Sequence, residues 1–374
     1  MNKMQASILI VSKNRKEDLL KTLKIIECLI DKSKVEVLVF LDGCTDGSED
    51  IIDELNWVRF FISEKSIGAS AARHQIYPLA NSEILIGLDD DAHPLTLNFI
   101  SEIENLFNLN QNVGILAFEE IRGTFESDEE ALLQASLENK KFLTSQFIGC
   151  GFAIRKSVYN KTNGFPVWID IYGEESCLSI EVLDKGYDIL YVNEIKINHR
   201  VNKEQRKLEK QNYFRFEKQL KNSAYYFLVY YPYPLWNILK LYRHNFKKYA
   251  LTDWKCFKIF IKTIFVVLIN VSRILKYRKP VDQALIIKMR SLSLLKFSFA
   301  ILFVFNMCFK NYTFFKELLM RIELTTSSLP RKCSTPELQK HCYFSSFSFP
   351  RQRSTASADR PELQKQSLLE PKSD

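Results

Sequence analysis

The sequence predicts an α/β protein with a mainly parallel central sheet, followed by a basic, aromatic, helical C-terminal region. Two observations carry this prediction. Short apolar runs of strand character alternate with helix-period segments through the first half of the chain. Charge then divides the molecule: residues 1–202 hold 20 Lys+Arg against 32 Asp+Glu, whereas residues 203–321 hold 24 against 6.

The elements follow in order. "ASILIVS" (6–12) is a β-branched apolar run. "EDLLKTLKIIECLI" (17–30) places Leu19, Leu20, Leu23, Ile26, Leu29 and Ile30 at helical spacing. "VEVLVFLD" (35–42) reads as a strand and "GSEDIIDELN" (47–56) as a helix. Strand-like "VRFFI" (58–62), helix-like "ASAARHQIYPLA" (69–80) and strand-like "EILIGLD" (83–89) come next. Such an order implies parallel strands covered by helices on both faces, with ligands at the strands' carboxyl ends.

The chain has 374 residues, enough for two domains or one domain with long additions, and at 46% hydrophobic and 26% charged most of it should fold around a real core. Its eight cysteines form no CxxC pair or zinc-like cluster, and the N-terminal apolar run is too short for a secretory signal. A reduced, cytosolic catalytic region with ordinary buried cysteines is expected.

Residues 203–321 carry a net +18 and should seek an anionic surface. "CFKIFIKTIFVVLINVSRILK" (256–276) and "LLKFSFAILFVFNMCF" (294–309) combine aromatic residues with flanking Lys and Arg. They read as helices lying on a membrane; packing as a helical subdomain, or two short spans, are the alternatives. The apolar aromatic runs suit lipid better than nucleic acid, so no nucleic-acid partner is expected. From about Ile322 the chain turns rich in Ser and Pro, and 322–374 is expected to be a disordered tail.

Four clusters could carry chemistry. "LIGLDDDAHP" ends an apolar strand in three aspartates. In an extended chain Asp89 and Asp91 share a face, offering two carboxylates to Mg²⁺ or Mn²⁺, while Asp90 points away. An acidic turn or helix cap would give the same letters. In "LDGCTDGSED", Asp42 ends a strand where a ribose or base could be bound, and Asp46 precedes a helix; a capped glycine loop is the alternative. "IGASAARHQ" offers Arg73 to a phosphate or carboxylate, unless that arginine lies on a solvated helix face. In "IYGEESCLSIEVLDKGYDILYVNEIKINHR", Glu174 and Glu175 open a helix. One of them could take a proton from an incoming hydroxyl, and His199 could bind metal or diphosphate.

In this order the pieces resemble the family 2 glycosyltransferases, inverting enzymes of the GT-A fold, over about residues 5–200. The matching segments are "ILIVSKNR", "FLDGCTDGSED", "IGASAARH", "LIGLDDDAHP", "FIGCGFAIRKSVYNKTNGF" and "IYGEESCLSIEVLDKGY". The resemblance implies a nucleoside-diphosphate sugar donor and a carbohydrate or lipid-linked acceptor in polysaccharide or glycolipid synthesis. It implies donor or acceptor contacts from Ser12, Asn14, Asp42, Asp46, Arg73, Asp89 and Gly151. Asp89, Asp91 and His199 would hold the cation, and Glu175, with Glu174 in reserve, would be the base. Cys177 and Glu181 depart from the family pattern beside that base. The expected domains are 1–202 catalytic, 203–321 membrane-associating and 322–374 tail. The expected location is cytoplasmic, against the inner membrane face. Two rival readings are an inert front domain on a membrane-binding module and a sugar-1-phosphate nucleotidyltransferase. The second would want a glycine-rich loop after the first strand, which "VSKNRKEDLL" lacks.

Overall fold

The computed structural model describes residues 4–201 and 213–292, all within one compact unit. Nine strands form one sheet: β1 (Ala6–Ser12), β2 (Val35–Asp42), β3 (Val58–Ser63), β4 (Ile84–Asp89), β5 (Ala92–Pro94), β6 (Val113–Arg122), β7 (Lys141–Thr144), β8 (Gly151–Arg155) and β9 (Asp188–His199). Their order is β3-β2-β1-β4-β8-β6-β9-β5, with β7 also paired to β9. The first four are mutually parallel, β8 runs against its neighbours β4 and β6, and β9 returns to the common direction beside β6. The sheet is thus mainly parallel, as expected.

Helices cover both faces because the strand pleat sends alternate side chains to opposite sides. Ile8, Ile10, Val37 and Val39 face α1 (Lys16–Leu29) and α3 (Phe99–Leu109); Leu9, Leu38 and Phe40 face α2 (Ala69–Ile76). Two short helices, α4 (Asp128–Leu132) and α5 (Lys156–Tyr159), precede α6 (Glu174–Asp184). Then come α7 (Tyr213–Tyr230), α8 (Pro234–Asn245) and α9 (Trp254–Leu275).

Two helices are shorter than the periodicity predicts. Residues 47–56 form only a 3₁₀ turn, Ser48–Ile51. Gly47 there is left-handed, and Asp46 accepts from the Ser48 amide and hydroxyl at the start of the turn. The helix expected over 69–80 stops at Ile76 and tightens to a 3₁₀ turn around Pro78, whose ring removes a donor. The described cysteines are all free, but Cys28 is exposed rather than buried.

The C-terminal helices pack on the sheet-bearing half. Ala224, Tyr225, Leu228 and Val229 of α7 share one core with Cys177, Leu178 and Val182 of α6. Lys218 and Lys221 reach Asp170, and the Asn222 amide donates to the Ile171 and Tyr172 carbonyls. Glu181 accepts from Asn163 and from the Tyr230 hydroxyl, and lies 3.3 Å from Lys279 Nζ. Cys177 is wholly buried. The two positions that depart from the family pattern therefore serve this packing. The apolar run 294–309 and the tail 322–374 lie outside the described residues.

Candidate active site

The carboxyl ends of β1, β2 and β4 collect most of the expected site residues. Asp89 closes β4. The chain then turns at Asp90 and Asp91 before β5 pairs Ala92 with His199. A turn, and not an extended run, separates the three carboxylates: Asp89 and Asp91 come together beside His199, and Asp90 lies apart from them. Asp90 is buried, accepting from the Ser12 hydroxyl at 2.7 Å and from Arg15 at 2.9 Å. Burial pushes its pKa up, against Arg15 and Ser12, to about 7.

Asp89, Asp91 and His199 converge, with one possible ligand atom from each lying within 4.8 Å of the others. The buried Asp91 Oδ1 has His199 Nε2 at 3.2 Å and no well-aligned hydrogen-bond donor. Asp91 Oδ2 takes Arg15 at 2.8 Å. Burial opposes a charged His199, but Asp91 and Glu120 outweigh it and raise the imidazole to about 9. Glu120 Oε1 sits 2.5 Å from the other ring nitrogen. Two carboxylates plus an imidazole that gives up its Nε2 proton on binding are a donor set that fits a hard divalent cation. The same imidazole also lies near Glu120 and Cys150. Cys150, however, offers a soft sulfur donor, which suits a hard divalent cation less well than carboxylate oxygen.

Arg73 is buried and not on a solvated face. It spans Asp89 at 2.7 Å and Glu174 at 2.9 Å, joining the Asp89–Asp91–His199 cluster to the start of α6. Glu174 is only 3% exposed. Burial raises the pKa of both Glu174 and Glu175, with Arg73 opposing. The two differ in access: Glu174 turns inward to Arg73, whereas Glu175 lines a cavity of about 700 Å³.

Other expected residues support the site from beneath. Ser12 is fully buried under Asp90. Asp42 is also buried, and its oxygens accept from the Ser66 hydroxyl and the Ile67 and Gly68 amides. That fixes the loop feeding α2, and hence Arg73. Asn14, at φ 52°, holds the Thr45 amide, and Asp46 holds the Lys16 amide. Gly151 is a packing residue: a Cβ there would come 2.5 Å from Ile197 Cγ1. The neighbouring glycine that matters here is Gly149, where a Cβ would come 2.5 Å from Glu175 Oε1 and 3.4 Å from Arg73 Nη2.

Arg15, Glu120 and Gly149 were not singled out from the sequence. Arg15 stands within the quoted "ILIVSKNR". Glu120 ends an apolar strand in acidic residues, the same signal that marks Asp89.

Residues 7–161 match the family described as Glycosyl transferase family 2. The match ends before Glu174, Glu175 and His199. An uncharacterized protein of Haemophilus influenzae is 30% identical over 179 residues, 44% of this chain and 95% of that one. Among solved structures, the mannosyltransferase PcManGT from Pyrobaculum calidifontis, in complex with GDP-Man and Mn²⁺, aligns with a TM-score of 0.47. It is 15% identical over 72% of this chain and 76% of its own. GalNAc-T7 with UDP, GalNAc and Mn²⁺ aligns at 0.46, 17% identical over 62% of this chain. The present chain spans about half, 49%, of that structure.

Proposed function

The chain belongs to glycosyl transferase family 2, and on that premise we propose an inverting, metal-dependent transfer of a sugar, of the hexosyl type, from a nucleoside-diphosphate donor to a hydroxyl acceptor in polysaccharide or glycolipid synthesis. The observation that carries this is the meeting of Asp89, Asp91 and His199 at the strands' carboxyl end, with Arg73 linking them to the Glu174–Glu175 pair.

Glu175 faces the cavity and acts as the base. Its carboxylate takes the acceptor hydroxyl's proton while the hydroxyl oxygen attacks the anomeric carbon. The bond to the diphosphate breaks, and its electron pair leaves with the phosphate oxygen. Burial suits Glu175 to this task, since a carboxylate with a raised pKa is a stronger base near neutral pH. Glu174 holds Arg73, and Asp90 holds Arg15, so both cations stay aimed at Asp89 and Asp91. A Mg²⁺ or Mn²⁺ ion held by Asp89, Asp91 and His199 would supply the positive charge that a departing diphosphate requires. The test is turnover of a panel of UDP- and GDP-sugars with Mn²⁺. Release of nucleoside diphosphate that EDTA abolishes is expected; no turnover of any donor would refute transfer.

The proposal places the protein peripherally on the cytoplasmic membrane face, and α9 supports contact with a membrane surface. No described helix is long and apolar enough to cross a membrane. Yet α9 is apolar on both faces: Phe260 and Val267 pack inward, while Trp254 (68%), Phe265 (60%) and Ile269 (79%) are exposed. Lys255 and Lys258 stand beside them, with Lys258 Nζ 5.5 Å from the Trp254 ring. This is the pattern of a helix lying on an anionic surface. Cosedimentation with phosphatidylglycerol vesicles, weakened by salt and by Phe265→Ser, is expected. Equal recovery with phosphatidylcholine alone would contradict it.

A further inference from the structure

The cavity beside Glu175 has one wall from the catalytic half and the other from the C-terminal helices. Tyr172 and Glu175 line the first wall. Phe216 and Gln219 of α7, Asn245 of α8 and Tyr249 of the turn that follows line the second. Resting on the transfer reaction proposed above, we infer that this second wall binds the acceptor, and that the acceptor presents a hydroxyl-rich saccharide.

The lining has the chemistry of a sugar site. Aromatic rings offer flat apolar faces to the C–H side of a pyranose. Phe216 and Tyr249 stand together, with ring centroids 5.1 Å apart. The Gln219 amide offers a donor and an acceptor, as sugar hydroxyls require, and Asn245, one N–H of which goes to the Leu241 carbonyl at 2.8 Å, has a second N–H and an oxygen of the same kind. At about 700 Å³ the space is within the range of small-molecule sites.

A second observation ties the helices to the reacting groups. Tyr172 adopts φ 68°, a left-handed conformation costly for a residue with a Cβ. It lies three residues before Glu175. The Asn222 side chain of α7 donates to the Ile171 and Tyr172 carbonyls, at 2.7 and 2.9 Å, which holds that conformation. The same helix that lines the cavity therefore also fixes the segment carrying the base. Asn222 is a positioning residue, while Gln219, Asn245 and Tyr249 meet the acceptor.

The experiment supplies the full chain with its turned-over nucleotide sugar, Mn²⁺ and a panel of p-nitrophenyl glycosides. It reads the ratio of glycoside product to free sugar released. That ratio does not depend on how much of a variant is folded. In Gln219→Ala and Tyr249→Ala it should fall about tenfold, the effect of one lost polar or stacking contact; Tyr249→Phe, which keeps the ring, should retain most of it. An unchanged ratio in both alanine variants would overturn the assignment. Donor hydrolysis with no glycoside accepting sugar, or transfer only to a polyprenyl phosphate, would overturn the saccharide class. Absence of donor turnover altogether would strike at the transfer reaction instead.

Discussion

Glu175→Gln is expected to lower transfer about 10²–10⁴-fold, the usual worth of a general base. The amide keeps the shape of the side chain but has no lone pair basic enough to take a hydroxyl proton. The fold should survive, because among the described residues Glu175 makes no ion pair comparable to that of Glu174 with Arg73. The loss should appear in kcat more than in donor KM, since the donor's diphosphate is bound by other groups. A pH signature goes with it. Burial holds the Glu175 pKa above the ordinary carboxylate range, so the wild type should lose activity on acidification at a pH where an exposed glutamate would still be ionised. In the glutamine variant that limb should vanish. If Glu174→Gln, and not Glu175→Gln, removes the limb, the two roles are exchanged.

Arg73→Met is expected to destabilise the protein by about 1–3 kcal/mol, because it removes the hydrogen-bond donor of a buried carboxyl that then protonates instead of standing as a bare charge. Arg73 and Glu174 are both enclosed, and Asp89 shares the same guanidinium with 31% of its side chain accessible. Methionine fills the space but leaves Glu174 without its cation. Glu174 would then be held protonated more strongly still, since burial and Glu175 already raise its pKa and Arg73 is what opposes them. Arg73→Lys should recover only part of the loss, as one ammonium cannot serve both carboxylates with a planar fork. Urea unfolding of the single variants and of Arg73→Met/Glu174→Gln measures this. The double variant should be more stable than Arg73→Met alone, and a cost below about 1 kcal/mol for Arg73→Met would contradict the buried-pair account.

Much of this site could be read from residue order. Apolar runs fixed by their length and β-branching gave β1, β2 and β4 nearly to the residue, and Asp89 and Asp91 follow from the abrupt end of one of them. His199 joins them across more than a hundred residues because β5 pairs with β9, which no local pattern discloses. The roles of Ser12 and Asp42 were not legible either. A polar residue at a strand end can face the ligand or face inward, and here Asp90 and the 66–68 loop draw them inward. The C-terminal helices show the same limit. Their charge and aromatic content suggest a lipid surface, and nothing in that content discloses the apolar core shared with α6, or the contacts from Lys218, Lys221 and Asn222 to residues 170–172, that bring α7 and Phe216 across from Glu175.

The cation cluster is the point on which the account turns, and donor turnover by Asp91→Asn tests it most directly. With a nucleotide sugar that the wild type uses, the asparagine variant should lose Mn²⁺-dependent release of nucleoside diphosphate, or need far more Mn²⁺ to restore it. Turnover equal to the wild type at the same Mn²⁺ concentration would contradict the assignment of Asp89, Asp91 and His199.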